Sequence, residues 1–225
     1  MLIAEDLLLL VTDDASGRLC ASGDKVDAGL AGANLIELTL MRKADLSGEG
    51  DEGKPGRIIV RDPSPTGDQV LDAALELLVA HQGSKPSAVI RPLSKDLRRT
   101  LYERLAGSGV RRAERGRILG VFPTRRWPAH DAAHEAEACR MVTQALVQQT
   151  APDTRTTALI ALVHALGCEH TIVDPRPYGL SKRQIRERAA QIAEGNWASE
   201  AVRKVIEEMI AAVVAATSAA TSGAG

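Results

Sequence analysis

The sequence predicts a mainly α protein, a single compact helical domain carrying one short basic β-hairpin. Three observations predict it. Apolar residues make up 44% of the chain but aromatic residues only 2%, so the core is built from Ala, Leu, Val and Ile, a composition that favours helices. Apolar residues recur at helical spacing in Leu71, Leu75, Leu78 and Val79, and again in Leu97, Leu101 and Leu105. No repeat of solenoid period and no long low-complexity linker divides the 225 residues, which suffice for a sizeable core without a disulfide framework.

Taken in order, Leu7 to Leu10 read as an apolar helix stopped by the polar turn Asp13-Asp14-Ala15-Ser16-Gly17. Val26 to Leu40 read as a buried helix in which Gly29 and Gly32 allow another backbone to come close. Residues 47–56 are loop by composition, and Arg57 to Arg61 a short strand. The turn 62–68 leads into the helix of Leu71 to Val79, which ends by Gly83. The next helix is expected to start at Ser94, whose hydroxyl caps its orphan amides, and to stop at Gly107 and Gly109. A hairpin over 110–122 follows, turning around Glu114-Arg115-Gly116. From Asp131 onward, breaks at 151–153, 174–179 and 195–196 leave four helices. The domain is expected to span 1–216, with Ile210 to Ala216 a fraying helix end and 217–225 a disordered tail.

Charge excludes some functions. Lys plus Arg total 28 and Asp plus Glu 29, a net charge of −1, which rules out a globally basic nucleic-acid coat protein. The distribution is uneven. From Arg91 to Arg126 eleven basic residues face three acidic ones, so this segment carries about +8 and the rest about −9. Cys20, Cys139 and Cys168 lie far apart with no C-x-x-C, and read as buried thiols in a reducing cytosol. The acidic N-terminus does not resemble a signal peptide, and Leu7 to Val11 is too short to span a bilayer, so a soluble chain is expected.

Within the basic segment, Lys95 and Arg98 stand three residues apart, the spacing that puts two side chains on one helix face, with Arg99 adjacent and Arg91 ahead of them. Such cations either line a solvated face or converge on a phosphate, Arg through a forked contact and Lys as a point charge. Trp127, after Arg125 and Arg126, suits a membrane–water interface as well as it suits packing over the hairpin. Trp197 reads as core or cap packing. His130 and His134 share the i, i+4 spacing of metal ligands, with Glu135 and Cys139 near, but no third ligand follows at a recognised spacing. No nucleotide fingerprint and no nucleophile elbow occurs, so neither an enzyme, a cofactor nor a metal is expected.

Four blocks, Gly29-Leu30-Ala31-Gly32-Ala33-Asn34-Leu35-Ile36-Glu37-Leu38, Ser64-Pro65-Thr66-Gly67-Asp68 with Leu71-Asp72 and Leu75, Leu101 to Val110, and Arg155-Thr156-Thr157-Ala158-Leu159-Ile160-Ala161-Leu162-Val163-His164, resemble in content and order the Golgi phosphoprotein 3 family. The resemblance implies a helical, non-enzymatic adaptor, peripheral to the cytoplasmic face of a membrane, that binds phosphatidylinositol 4-phosphate. It also implies self-association through the 110–122 hairpin. The family's Lys/Arg-x-x-Arg pair matches Lys95 and Arg98; its pocket Trp and further Arg fall on Ser22 and Ala31. Their loss removes contacts worth on the order of 1–3 kcal/mol each, so weaker affinity or headgroup selectivity than in the family's eukaryotic members is expected, with Arg99, Arg125, Arg126 and Trp127 as the residues that could compensate. An Ala-rich chain in which Arg outnumbers Lys suggests a high-GC bacterial gene, for which a related anionic inositol lipid is an alternative ligand. A second reading pairs the helix at Ser94 to Ala106 with the basic hairpin as a winged-helix-like DNA-binding unit.

Overall fold

The computed structural model describes residues 1–13, 16–48, 50–108, 114–118, 122–126, 133–194, 207–208, 210–215 and 218. The fold is mainly α. Its helices are α1 (Ile3–Leu10), α2 (Gly23–Leu40), α3 (Gln69–Ala80), α4 (Pro86–Ser94), α5 (Leu97–Gly107), α6 (Ala133–Gln148), α7 (Thr154–Leu166), α8 (Glu169–Ile172) and α9 (Lys182–Glu194), with a 3-10 turn at Arg176–Tyr178. Two antiparallel ribbons accompany them, β1 (Ala44–Leu46) with β2 (Ile58–Val60), and β3 (Glu114–Ile118) with β4 (Phe122–Arg126). The first is an addition to the single hairpin expected. In the second, Ile118 is registered with Phe122 and Glu114-Arg115-Gly116 belongs to a strand, not to a turn.

Helix α2 is the axis of the domain. It is apolar on every side from Val26 to Leu38, apart from Asp27, Asn34 and Glu37, which is the pattern of a helix surrounded by others. It packs against α1, α3, α4, α5 and α7. Its course against α7 is antiparallel. A Cβ on Gly29 would lie 3.1 Å from Leu166, and one on Gly32 would lie 3.5 Å from Leu162, while Glu37 takes an ion pair from Arg155 at 2.8 Å. The N-terminus of α2 and the C-terminus of α7 therefore share one end of the molecule. The β1–β2 ribbon, which follows the C-terminus of α2, lies at the other. The two glycines admit side chains, not a second backbone.

Several expectations need correction. Val79 is 47% exposed and does not join the face formed by Leu71, Leu75 and Leu78. Residues 86–94 form a helix that starts with proline at its first position, where the missing N–H costs nothing, and tolerates Pro92 within it. Ser94 thus ends a helix instead of starting one, and its Oγ donates to the Arg91 carbonyl at 2.9 Å. Cys20 and Cys168 form a disulfide with Cα atoms 5.8 Å apart, leaving only Cys139 free; nothing in their spacing signals the pairing, because tertiary packing of α2 on α7 creates it. The ground for a reducing compartment falls with it. Near the C-terminus, Ala212 and Val213 are buried, and Val213 packs on Gly32 of α2, so the helical stretch 210–215 is docked on the core. Trp197 and most of 217–225 lie outside the described residues.

Candidate functional site

The site is assembled where α4 gives way to α5. Lys95 is extended (φ −61°, ψ 122°) and Asp96 is left-handed (φ 59°), a conformation that Asp tolerates better than most residues. This two-residue break separates Lys95 from Arg98, which belongs to the first turn of α5. The two are not on one helix face, as their spacing had predicted; they are neighbours across a bend. Lys95 and Arg99 are exposed, and so is Arg91 in the last turn of α4. Arg99 lies 3.2 Å from the Asp96 carboxylate.

Arg98 is half-buried and turns back onto α2. Its guanidinium lies over Gly23, where a Cβ would come within 3.1 Å of Nη1, and its Nε stands 3.2 Å from Asp27 Oδ1. That carboxylate oxygen has ion-pair proximity but not the alignment of a hydrogen bond, and it is otherwise unsatisfied. Burial pushes the Asp27 carboxyl above its usual value, with Arg98 pulling it down and Asp24 pushing it up. The pairing is therefore loose on both counts.

This arginine links two helix starts, leaving the first turn of α5 and lying over the first turn of α2. Ser22 precedes α2 and Asp96 precedes α5, and neither side chain caps the amides that follow it. Each uncapped start carries unsatisfied N–H groups and about half a positive charge. The first turn of α5 has no acid but two arginines, Arg98 and Arg99, an arrangement that the helix dipole disfavours and an anion would relieve. Arg98, Lys95, Arg99 and the two sets of amides thus form a cationic corner, with Asp24, Asp27 and Asp96 as its neighbouring acids among the described residues.

The remaining candidates are distributed differently. Ser22 is exposed at this corner, whereas Ala31 is fully buried and contributes no side chain to any surface. Arg125 and Arg126 are placed only by the pairing of β4, Arg125 opposite Arg115 and Arg126 opposite Glu114. Trp127 and His130 lie outside the described residues, and among the described residues no group of three His, Cys, Asp or Glu could hold a metal ion. The +8 segment is also less bare than its sequence suggests. Arg104 donates to Glu5 at 2.8 Å and to Asp68 at 2.7 Å, acids from α1 and the start of α3. Asp27 and Gly23 were missed because they lie far from Arg98 along the chain, and no local signal marks them.

The Ser64 to Asp68 block is structural. The Thr66 amide and hydroxyl both donate to Asp72 at 2.6 Å, Lys43 clasps Asp62 and Ser64, and Asp68 caps α3. Arg155, from another of the blocks, spans Glu37, Asp6 and the Met1 carbonyl. These motifs hold the bundle together at a distance from the cationic corner.

Fold and site define a mainly α protein with a cationic corner built from helix starts, in which no helix among the described residues is long and apolar enough to cross a membrane. The family model described as Golgi phosphoprotein 3 (GPP34) matches residues 3–209, and the chain belongs to that family. No curated protein matches it.

Proposed function

We propose that this protein is a non-enzymatic adaptor that docks reversibly on the cytoplasmic face of a membrane and recognises phosphatidylinositol 4-phosphate, or a related anionic inositol lipid, at the corner formed by Arg98, Lys95 and Arg99. The observation that carries the reading is a half-buried arginine that leaves the uncapped first turn of α5 and lays its guanidinium over the uncapped first turn of α2. Backbone amides and a forked guanidinium together suit a phosphate monoester, which presents three acceptor oxygens. Arg91 adds charge at the rim, and Arg125, Arg126 and Trp127 would meet the surrounding membrane. Self-association would use the β3–β4 hairpin.

Replacing both Lys95→Ala and Arg98→Ala is expected to lower binding to vesicles containing phosphatidylinositol 4-phosphate by at least tenfold, given about 1 kcal/mol for each cation at an anionic surface and more for a forked contact. Unchanged vesicle binding with an unchanged melting temperature would refute the assignment. The DNA-binding reading has no observation in its favour, since Arg104 of the would-be recognition helix is engaged by Glu5 and Asp68.

A further inference from the structure

A second cationic cluster lies on the same end of the molecule. Between α8 and the first turns of α9 is a cavity of about 320 Å³ lined by Gly167, Glu169, His170, Lys182, Arg183 and Arg186. Lys182 and Arg186 are one helical turn apart on α9, both exposed, and no carboxylate lies within ion-pair distance of either among the described residues. Arg183 pairs with Glu187 at 2.7 Å. The one acid in the wall, Glu169, is buried and already held by His164 Nδ1 at 2.5 Å, and the nearby Asp174 is taken by Arg176 at 2.9 Å. Arg186 helps hold Glu169 ionised and Lys182 does the same for Asp174, but both act at longer range, so neither cation is locked in an ion pair and both can face a ligand in the cavity.

Its position follows from the disulfide. Gly167 and Glu169 flank Cys168, and Cys20 is three residues from Gly23, beneath Arg98. With 5.8 Å between the cysteine Cα atoms and at most about 3.6 Å per residue of chain, Gly23 and Glu169 are within about 20 Å of each other. Just before α9, Tyr178 is 49% exposed in the 3-10 turn, an amphipathic ring among cations of the kind that sits at a membrane–water interface.

We propose that this cavity is a second lipid-binding site, in which Lys182 and Arg186, with His170, hold the phosphate of a membrane headgroup while Tyr178 lies at the interface beside it. The chain would then engage the bilayer through two headgroups bridged by the Cys20–Cys168 link. The membrane placement rests on the function proposed above; the phosphate chemistry of the cavity does not. The test compares full-length Lys182→Ala/Arg186→Ala with Lys95→Ala/Arg98→Ala and with a control, Lys54→Ala/Lys85→Ala, whose cations are at the β1–β2 end. Binding is measured to vesicles containing phosphatidylinositol 4-phosphate, and the His170 ring resonances are followed by NMR on adding a short-chain soluble form of that lipid or inorganic phosphate. We expect the α9 variant to lose roughly 10- to 30-fold in vesicle affinity, the control to keep it, and His170 to shift with the headgroup in the wild type and in the Lys95→Ala/Arg98→Ala protein alike. Full vesicle affinity in the α9 variant would overturn the proposal, as would equal loss in the control or a His170 response to inorganic phosphate as strong as to the headgroup. Loss in the α9 variant with none in Lys95→Ala/Arg98→Ala would uphold this site and refute the other.

Discussion

At the scale of single residues, Asp27 sets how readily Arg98 can serve a ligand. The carboxylate lies within ion-pair reach of the guanidinium but desolvation opposes its charge, so its pKa is raised in the folded chain. The folded protein then holds a proton on Asp27 at pH values where the unfolded chain has lost it. Stability attributable to this group consequently falls as pH rises from about 4 through the raised value. Below that value the protonated acid releases Arg98. Two outcomes are expected: vesicle binding strengthens as pH is lowered into the carboxylate range, and Asp27→Asn removes that dependence while raising affinity at neutral pH by up to about fivefold, the equivalent of a partly exposed ion pair worth about 1 kcal/mol. Vesicle titrations of both proteins across that range check this; parallel pH profiles would show that Asp27 does not compete with the ligand.

At the scale of elements, small residues decide how closely helices approach. A Cβ on Gly32 would meet Val213 Cγ2 at 2.7 Å, so Gly32→Val forces the C-terminal helix off α2. Overpacking of this kind costs about 1–3 kcal/mol, readable as a lower melting temperature and as faster proteolysis near Val213. The need for small residues on α2 was legible from Gly29 and Gly32, but their partners were not, because Leu162, Leu166 and Val213 meet them only through tertiary packing. Periodicity located α3, while α2 was legible as an unbroken apolar stretch and α7 from the turn residues before it; the stop at Gly167, which ends α7 at Leu166, was not read. Periodicity failed between Ser84 and Asp96, where two prolines mask a short helix and where the break at Lys95 and Asp96 has no compositional mark. The Lys95–Arg98 pair was therefore chosen for a helical spacing that the chain does not have; the two flank a bend, and Arg98 turns onto α2.

At the scale of the molecule, the helices are arranged so that α2 and α5 begin, and α7 finishes, at one end, and the Cys20–Cys168 bond closes that end across 148 residues of sequence. A loop of that length confers about 5 kcal/mol by restricting the unfolded chain. Reduction, or Cys20→Ser, is expected to lower the melting temperature, and the oxidised protein to yield one titratable thiol on denaturation, that of Cys139; three thiols would contradict the pairing. Charge polarity along the chain was legible as a +8 segment. How much of it is spent internally was not, because the acids that take up Arg104 come from α1 and the start of α3, and the one beside Arg98 from α2. What remains uncommitted is concentrated at helix starts, which is why a phosphate-bearing headgroup, and not anionic charge in general, is the expected ligand. The most direct measurement is vesicle flotation with phosphatidylinositol 4-phosphate, phosphatidylinositol and phosphatidylserine at matched charge, in low and physiological salt. Binding that keeps its preference for the 4-phosphate at physiological salt is the predicted result; equal binding to all three that salt abolishes, or no binding, would contradict a built headgroup site.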